Sequence, residues 1–413
     1  MKKEIQFQQV IGVGCGLDVH KDTIVATIRS SSKDYETKEF SSFTSSLTEL
    51  RDWCKQQGVT HIAIESTGIY WKPVFNVLED ESFEIILVNA RHVKNIPGHK
   101  TDKKDSAWLS KLLLSGLLKG SFIPPIDIRE LRDLVRYKNK KTQVIASEKN
   151  RMIKILEDCN VKLSSVVSDV QGVSATKIVN AITAGETDVE KLILFAHGRI
   201  QLDKETIKKA LEGKVTDHHR FMLQMARESI DVNETLIKKL DLQIEKAIQK
   251  YQVELDLLQT IDGIGKDSAI AIISEIGVDM KQFPNEHHLA SWSGVSPGNN
   301  ESGGKKSTRT IHGNKHLQAT LTQSAWGATR KKEGYFKQKY QKLLVRKGAK
   351  KTIVAISHKL IIGAYQVLNK KEAYKTPLLD NKKHEEKRKA KSVQKHLLGL
   401  NQLGFTVRLT PVN

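Results

Sequence analysis

The chain has 413 residues, of which 39% are hydrophobic, and a formal net charge of +20, with a pI near 9.6. This length allows two or three domains with real cores, and the charge favours polyanionic partners, because lysine and arginine release counterions from phosphates. Three widely spaced cysteines, Cys15, Cys54 and Cys159, argue against a zinc site or a disulfide framework, and the polar start MKKEIQFQQV and the lack of a long apolar run argue against a signal peptide or a membrane span, so a reducing cytoplasm is expected.

Residues 11–41 hold three strand-like runs, IGVGCGLDVH, TIVATIRS and YETKEFSS, with breaks short enough for a meander of hairpins. SLTELRDWCKQQG places Leu47, Leu50 and Trp53 at helical spacing, with Gly58 as a stop. HIAIES is a fourth strand. GIYWKPVFNVLED is a helix if Pro73 lies in its first turn. EIILVNA is a fifth strand, and KDSAWLSKLLLSGLL a closing helix. Pro124 and Pro125 end this unit, expected over residues 1–125. Three strands, then helix, strand, helix, strand, helix predicts one sheet with helices packed on it.

Residues 126–254 read as helical. Ile128, Leu131, Val135, Ile145, Met152, Leu156 and Cys159 fall on one heptad seam, and Ile230, Ile237, Leu240, Ile244, Ala247 and Tyr251 on another. Asn233 sits on the second seam, where a polar residue can fix register or oligomer state. The two helices can pair within one chain or between two. A further, mainly helical unit is expected over residues 255–370. It opens on LLQTIDGIGKDSAIAIISEIG, a helix, tight turn and helix in which Gly263 and Gly265 allow backbone amides near a phosphate, assisted by Lys266. A purely structural turn fits that pattern equally well. Residues 296–313 read as an exposed, mobile loop. The helices from Gly334 to Leu368 alternate basic and apolar faces, and residues 371–413 form a basic tail.

Four acids stand out. Asp18 and Glu65 end nearly uninterrupted apolar strands, where an unpartnered carboxylate would cost several kcal/mol. Asp102 and Asp105 open an amphipathic helix, three residues apart, so both can face one site. Carboxylates crowded at one sheet edge need a cation, and hard oxygen ligands suit Mg2+ or Mn2+. Two such ions about 4 Å apart clamp an in-line displacement at phosphorus. Lys21, Lys100, Lys103 and Lys104 flank the acids as candidate phosphate contacts. His20 is read as facing away from Asp18, Tyr70 as a base-stacking or core residue, and Trp71 as core. A second constellation is Ser302, followed by Gly303 and Gly304 and then Lys305, Lys306 and Arg309, with Lys315 opening the next helix. A flexible serine among cations can attack a phosphodiester. From residue types alone, a serine before two glycines is more simply a turn.

The order of elements and acids matches the ribonuclease-H-like fold of Holliday-junction resolvases and many transposases. The stretches GLDVHKD, AIESTGIYW, NARHVKNIPGHKTDKKDSAWLS, TIDGIGKDSAIAIISEIG and LASWSGVSPGNNESGGKKSTRTIHGNKHL, in that order, resemble the DEDD transposases of insertion sequence 110 type, recombinases guided by a bridge RNA. The resemblance spans roughly residues 10–370. It implies a RuvC-like catalytic domain whose metal ligands are Asp18, Glu65, Asp102 and Asp105, and Ser302 as nucleophile with Ser296 the weaker candidate. It also implies acids from one protomer working with the serine loop of another, a tetramer of two synapsed dimers joined by the helical seams, and a bridge RNA paired with donor and target DNA. The expected function is therefore an insertion-sequence transposase that cuts and rejoins DNA through a serine. The alternatives are a resolvase-like nuclease using metal-activated water, with the serine loop binding DNA, and a nonenzymatic RNA- and DNA-binding scaffold.

Overall fold

The computed structural model describes residues 9–406 apart from 32–33, 66–67, 80–82, 90–104, 168, 170–171, 196–203, 299–300, 307–308, 378–392, 395 and 403. The described chain divides into two compact units, 1–123 and 124–413.

The first unit is one five-stranded sheet with helices on both faces. Its strands are β1 (Gly14–Val19), β2 (Thr23–Arg29), β3 (Tyr35–Ser41), β4 (His61–Glu65) and β5 (Glu84–Val88), in the order β3-β2-β1-β4-β5. The first three form an antiparallel meander, as the short breaks require, and β4 and β5 run parallel to β1. Parallel strands need crossovers, and these are supplied by α1 (Thr44–Gln56) between β3 and β4 and α2 (Trp71–Leu78) between β4 and β5. This is the ribonuclease-H-like arrangement. Pro73 is the third residue of α2, where its missing N–H costs nothing.

Side-chain alternation divides the sheet into two faces. Cys15, Leu17 and Val19 of β1 and Ile62 and Ile64 of β4 join Leu47, Leu50 and Trp53 of α1 and Phe75 and Leu78 of α2 in one core. Trp71 packs against that core, as expected of it. On the opposite face, Ala63 and Val88 meet Leu109 and Leu113 of α3 (Asp105–Leu114).

The second unit is helical. Helix α4 (Ile126–Asp158) is followed by α5 (Leu163–Val166), α6 (Val173–Thr183), α7 (Val189–Ile193), α8 (Lys204–Leu211) and α9 (Asp217–Ile248). The seams of α4 and α9 pair within the chain, antiparallel: Asp158 lies 3.1 Å from His219, and Lys138 lies 2.6 Å from Asp241. Asn233 is buried, and its amide donates to the Ser229 carbonyl one turn earlier at 2.6 Å.

Beyond α9 come α10 (Gln252–Gln259), α11 (Lys266–Ile276), α12 (Glu286–Trp292), a two-residue ribbon of β6 (Glu301–Ser302) and β7 (Lys305–Lys306), α13 (Lys315–Arg330) and α14 (Tyr335–Lys370). Helix α14 breaks at Gly348, whose φ of 72° and ψ of 166° are not helical. The segment read as a mobile loop is partly ordered. Gly298 N–H donates to the Arg309 carbonyl at 2.8 Å, and Ile311 N–H donates to the Ser296 carbonyl at 3.2 Å.

A buried carboxylate ties α4 to α11. Glu275 side-chain oxygens accept from Arg136 Nε and an Arg136 terminal nitrogen, both at 2.8 Å, and from Asn314 Nδ2 at 2.5 Å. Arg132 donates to the Ser274 and Glu275 carbonyls. Burial pushes the Glu275 carboxyl up, but Arg136, Asn314 and Arg132 outweigh it, and the net shift is downward. A carboxyl lowered in the folded state adds stability above its unfolded pKa, about 4.3, and that stability is lost as pH falls through the lower folded value. Glu275→Gln takes the anion away from two half-buried guanidinium groups at a buried position and is expected to cost about 3 kcal/mol at pH 7. The corresponding drop in melting temperature is roughly 6–12 °C. Thermal scans from pH 7 to 3 check this, and the gap between variant and wild type should narrow at the acid end.

Candidate active site

Two acids meet at one sheet edge because of strand register. Leu17 of β1 pairs with Ile64 of β4, so the next residues, Asp18 and Glu65, lie side by side at the C-terminal ends of parallel neighbours. Asp18 is only 8% exposed. A carboxylate so placed needs a partner, and His20 Nε2 lies 3.2 Å from its Oδ2. The expectation that His20 faces away is therefore corrected. Residues two apart share a strand face, and His20 reaches back to Asp18 while its own side chain is 61% exposed.

The third acid arrives on α3. Gly16 shares the Asp18 face of β1. A β-carbon at Gly16 would lie 2.4 Å from the Ser106 carbonyl and 2.5 Å from the Ser110 amide, so the α3 backbone rests on this strand. Two further contacts hold it there. Ser106 Oγ is 2.8 Å from Thr27 Oγ1, and Arg29 Nε donates to Ser110 Oγ at 3.2 Å. Asp105, in the first turn of α3, immediately precedes Ser106. It is thus brought to the sheet face that carries Asp18, and the helix dipole favours an acid there. Ser106 and Ser110 were not among the expected site residues. Their sequence signal is two serines four apart on an otherwise leucine-rich helix, opposite the glycines of GCG.

Asp102, Lys100, Lys103 and Lys104 lie outside the described residues. Among the described residues no three acids, histidines or cysteines come together as a metal-holding group. The donors of Asp18 and Glu65 are nonetheless carboxylate oxygens, which fit a hard divalent cation. Beside it, Val19, His20, Lys21, Asp22, Thr23 and Tyr70 line a groove of about 490 Å3. Lys21 is exposed, and Tyr70 is 41% exposed rather than part of the core.

The remaining expected contacts are in the second unit. Gly263 has a φ of 89°, and a β-carbon there would lie 2.4 Å from the Ser324 carbonyl, so its close approach is to α13. Gly265 caps α11 and has open space around it. Lys266 Nζ is 2.8 Å from Glu245 Oε1. Lys315 begins α13 exposed, and Arg309 is also exposed. Lys305 pairs with Ser302, and Lys306 with Glu301, in the β6–β7 ribbon. Gly303 and Gly304 join the two strands with φ values of 55° and 73°. Two positive φ values at a two-residue hairpin turn are the type I′ requirement, so the turn itself accounts for the glycines after Ser302.

Two family models match the chain. One for DEDD transposases of the IS110 type, described as "Transposase", covers residues 15–161. Another, described as "Transposase IS116/IS110/IS902 family", covers residues 255–341. Together they take in more than half of the chain. A pilin gene-inverting protein of Moraxella bovis is 24% identical over 377 residues, which is 87% of this chain and 96% of that protein.

These matches correct the expected mechanism. The DEDD signature matched over residues 15–161 is that of a metal-dependent nuclease, built on acids rather than on a serine. The serine-nucleophile route through Ser302, or through Ser296, is set aside. DEDD transposases generally use divalent metal ions. No helix among the described residues is long and apolar enough to cross a membrane. With its ribonuclease-H-like acid domain followed by a largely helical region, the chain belongs to the IS110/IS116/IS902 family of DEDD-motif transposases, enzymes of DNA strand transfer.

Proposed function

We propose that the chain cuts DNA strands at the Asp18–Glu65 edge by metal-dependent attack of water. The observation that carries this reading is the register placing two carboxylates at adjacent strand ends, with Asp105 delivered to the same face by α3. Asp18, Glu65, Asp105 and Asp102 are the residues that would hold Mg2+ or Mn2+. A bound cation of this kind polarises the phosphate and lowers the pKa of water. His20 orients the Asp18 carboxylate. Lys21, with Lys100, Lys103 and Lys104, meets the phosphates flanking the cut. Lys305, Lys306, Arg309, Lys315 and the turn at Gly263, Gly265 and Lys266 supply further backbone contacts.

The finer partners belong to the same proposal: donor and target DNA, a guiding bridge RNA, and further copies of the chain, in the cytoplasm. The charge of +20 supports nucleic-acid partners. Self-association has support in α9, which leaves Phe221, Val232 and Leu242 between 56% and 61% exposed on its outer side. The experiment is strand cleavage of labelled DNA in Mg2+ against EDTA, with Mn2+ binding followed by electron paramagnetic resonance. Ser302→Ala should keep cleaving within about threefold, as expected when a hairpin residue that holds no metal is truncated. Loss of cleavage in that variant, with Mn2+ still bound, would contradict the reading.

A further inference from the structure

We infer that the first half of α14, together with Trp326 and Tyr340, is a docking surface for single-stranded nucleic acid. The inference rests on the proposed function only for the class of partner. The surface is built from helices of the second unit, and the acid edge from the sheet of the first.

Charge carries the first step. Residues 331–351 hold nine lysines and arginines and one acid, Glu333. Lys331 is engaged by Asp262 at 2.6 Å. Among the described residues no ion pair involves Lys337, Lys339, Lys342, Arg346, Lys347 or Lys350. Cations that dense repel one another along a helix unless an anion lies across them.

Burial carries the second step. Residues 344–351 are exposed without interruption, and Val345 reaches 94%. No residue of this stretch is buried, although Leu344 is only 36% exposed, so packing does little to hold the stretch helical. The break at Gly348 sets Arg346 and Lys347 on one side and Lys350 and Lys351 on the other. A polyanion following the helix meets cations on both sides of the bend.

Aromatic rings choose between duplex and single strand. Trp326 of α13 packs against Tyr340 of α14 with ring centroids 6.0 Å apart and planes 55° apart. Trp326 still leaves 42% of its surface in water. An open indole at the edge of a cationic track is the pairing that holds unstacked bases, whereas a duplex offers such a ring no base face.

The test is binding of fluorescein-labelled 30-nucleotide single strands, one of DNA and one of RNA, to the full chain in EDTA. Lys342→Ala/Arg346→Ala/Lys347→Ala should lower the slope of log affinity against log salt by about 2, since each phosphate contact on a single strand contributes roughly 0.7. Trp326→Ala should weaken binding about tenfold, and Trp326→Phe should restore most of it. A loss on either strand supports the surface. An unchanged salt slope in the triple variant overturns it. So does a loss confined to a 30-base-pair duplex and indifferent to Trp326→Ala. EDTA keeps this readout separate from the acid edge. If the cleavage reading fails, the binding result still stands, and a binding failure leaves metal-dependent cleavage of saturating substrate intact.

Discussion

Asp18→Asn is expected to slow Mg2+-dependent strand cleavage by about a thousandfold while leaving DNA affinity in EDTA within about threefold. Asparagine keeps the shape of the side chain and removes its charge. The charge stabilisation supplied at a metal site is worth several kcal/mol, and about 4 kcal/mol corresponds to a thousandfold in rate. The fold should tolerate the change. Asp18 contacts His20, but that imidazole is largely in water and solvent replaces the lost partner. Cleavage rates on denaturing gels and Mn2+ binding check the two halves together. Cleavage close to wild type in Asp18→Asn would remove Asp18 from the reaction.

Gly16→Ala is expected to destabilise the first unit by about 3 kcal/mol, at the upper end of the range for overpacking. Added atoms are usually absorbed by a side chain that swings aside. Here the nearest atoms are backbone, the Ser106 carbonyl at 2.4 Å and the Ser110 amide at 2.5 Å. Helix α3 must lift off the sheet, and with it go the Thr27–Ser106 and Arg29–Ser110 contacts and the position of Asp105 relative to Asp18. Activity should therefore fall further than stability alone explains. Gly12→Ala is the control, because nothing lies within 4 Å of a β-carbon there. Thermal melts should show a drop of roughly 12–24 °C for Gly16→Ala in a unit of this size and little change for Gly12→Ala.

The sheet was legible because its strands announce themselves. β1 and β4 are apolar runs ending in an acid, the breaks from β1 to β3 fit only hairpins, and helical spacing separates the parallel strands. The pairing of Asp18 with Glu65 follows from that order. What closes α3 over the sheet was not legible, since Gly16 and Ser106 lie far apart in the chain and no local periodicity links them. Gly263 stood open between a structural turn and a phosphate contact for a similar reason. Its glycine is needed by α13, about sixty residues further on, and a GIG turn looks the same whether it faces a helix or a phosphate. The seams of α4 and α9 were visible, but heptads cannot say whether their partner is in the same chain. The ribbon after Ser296 was read as mobile because its composition is polar. Backbone pairing across the Gly303–Gly304 turn orders its tip. Ser302 was expected to be a nucleophile on the strength of the family resemblance, whereas residue types alone favoured a turn, and the type I′ hairpin at Gly303–Gly304 is that turn.

The most direct measurement is the fate of end-labelled DNA cut by the full chain in Mg2+, resolved on denaturing gels before and after protease treatment, for wild type, Asp18→Asn and Ser302→Ala. An acid-edge enzyme that uses water predicts free DNA ends whose mobility protease does not change, formed by wild type and Ser302→Ala and absent from Asp18→Asn. A protease-sensitive protein–DNA adduct in wild type, missing from Ser302→Ala, would contradict it.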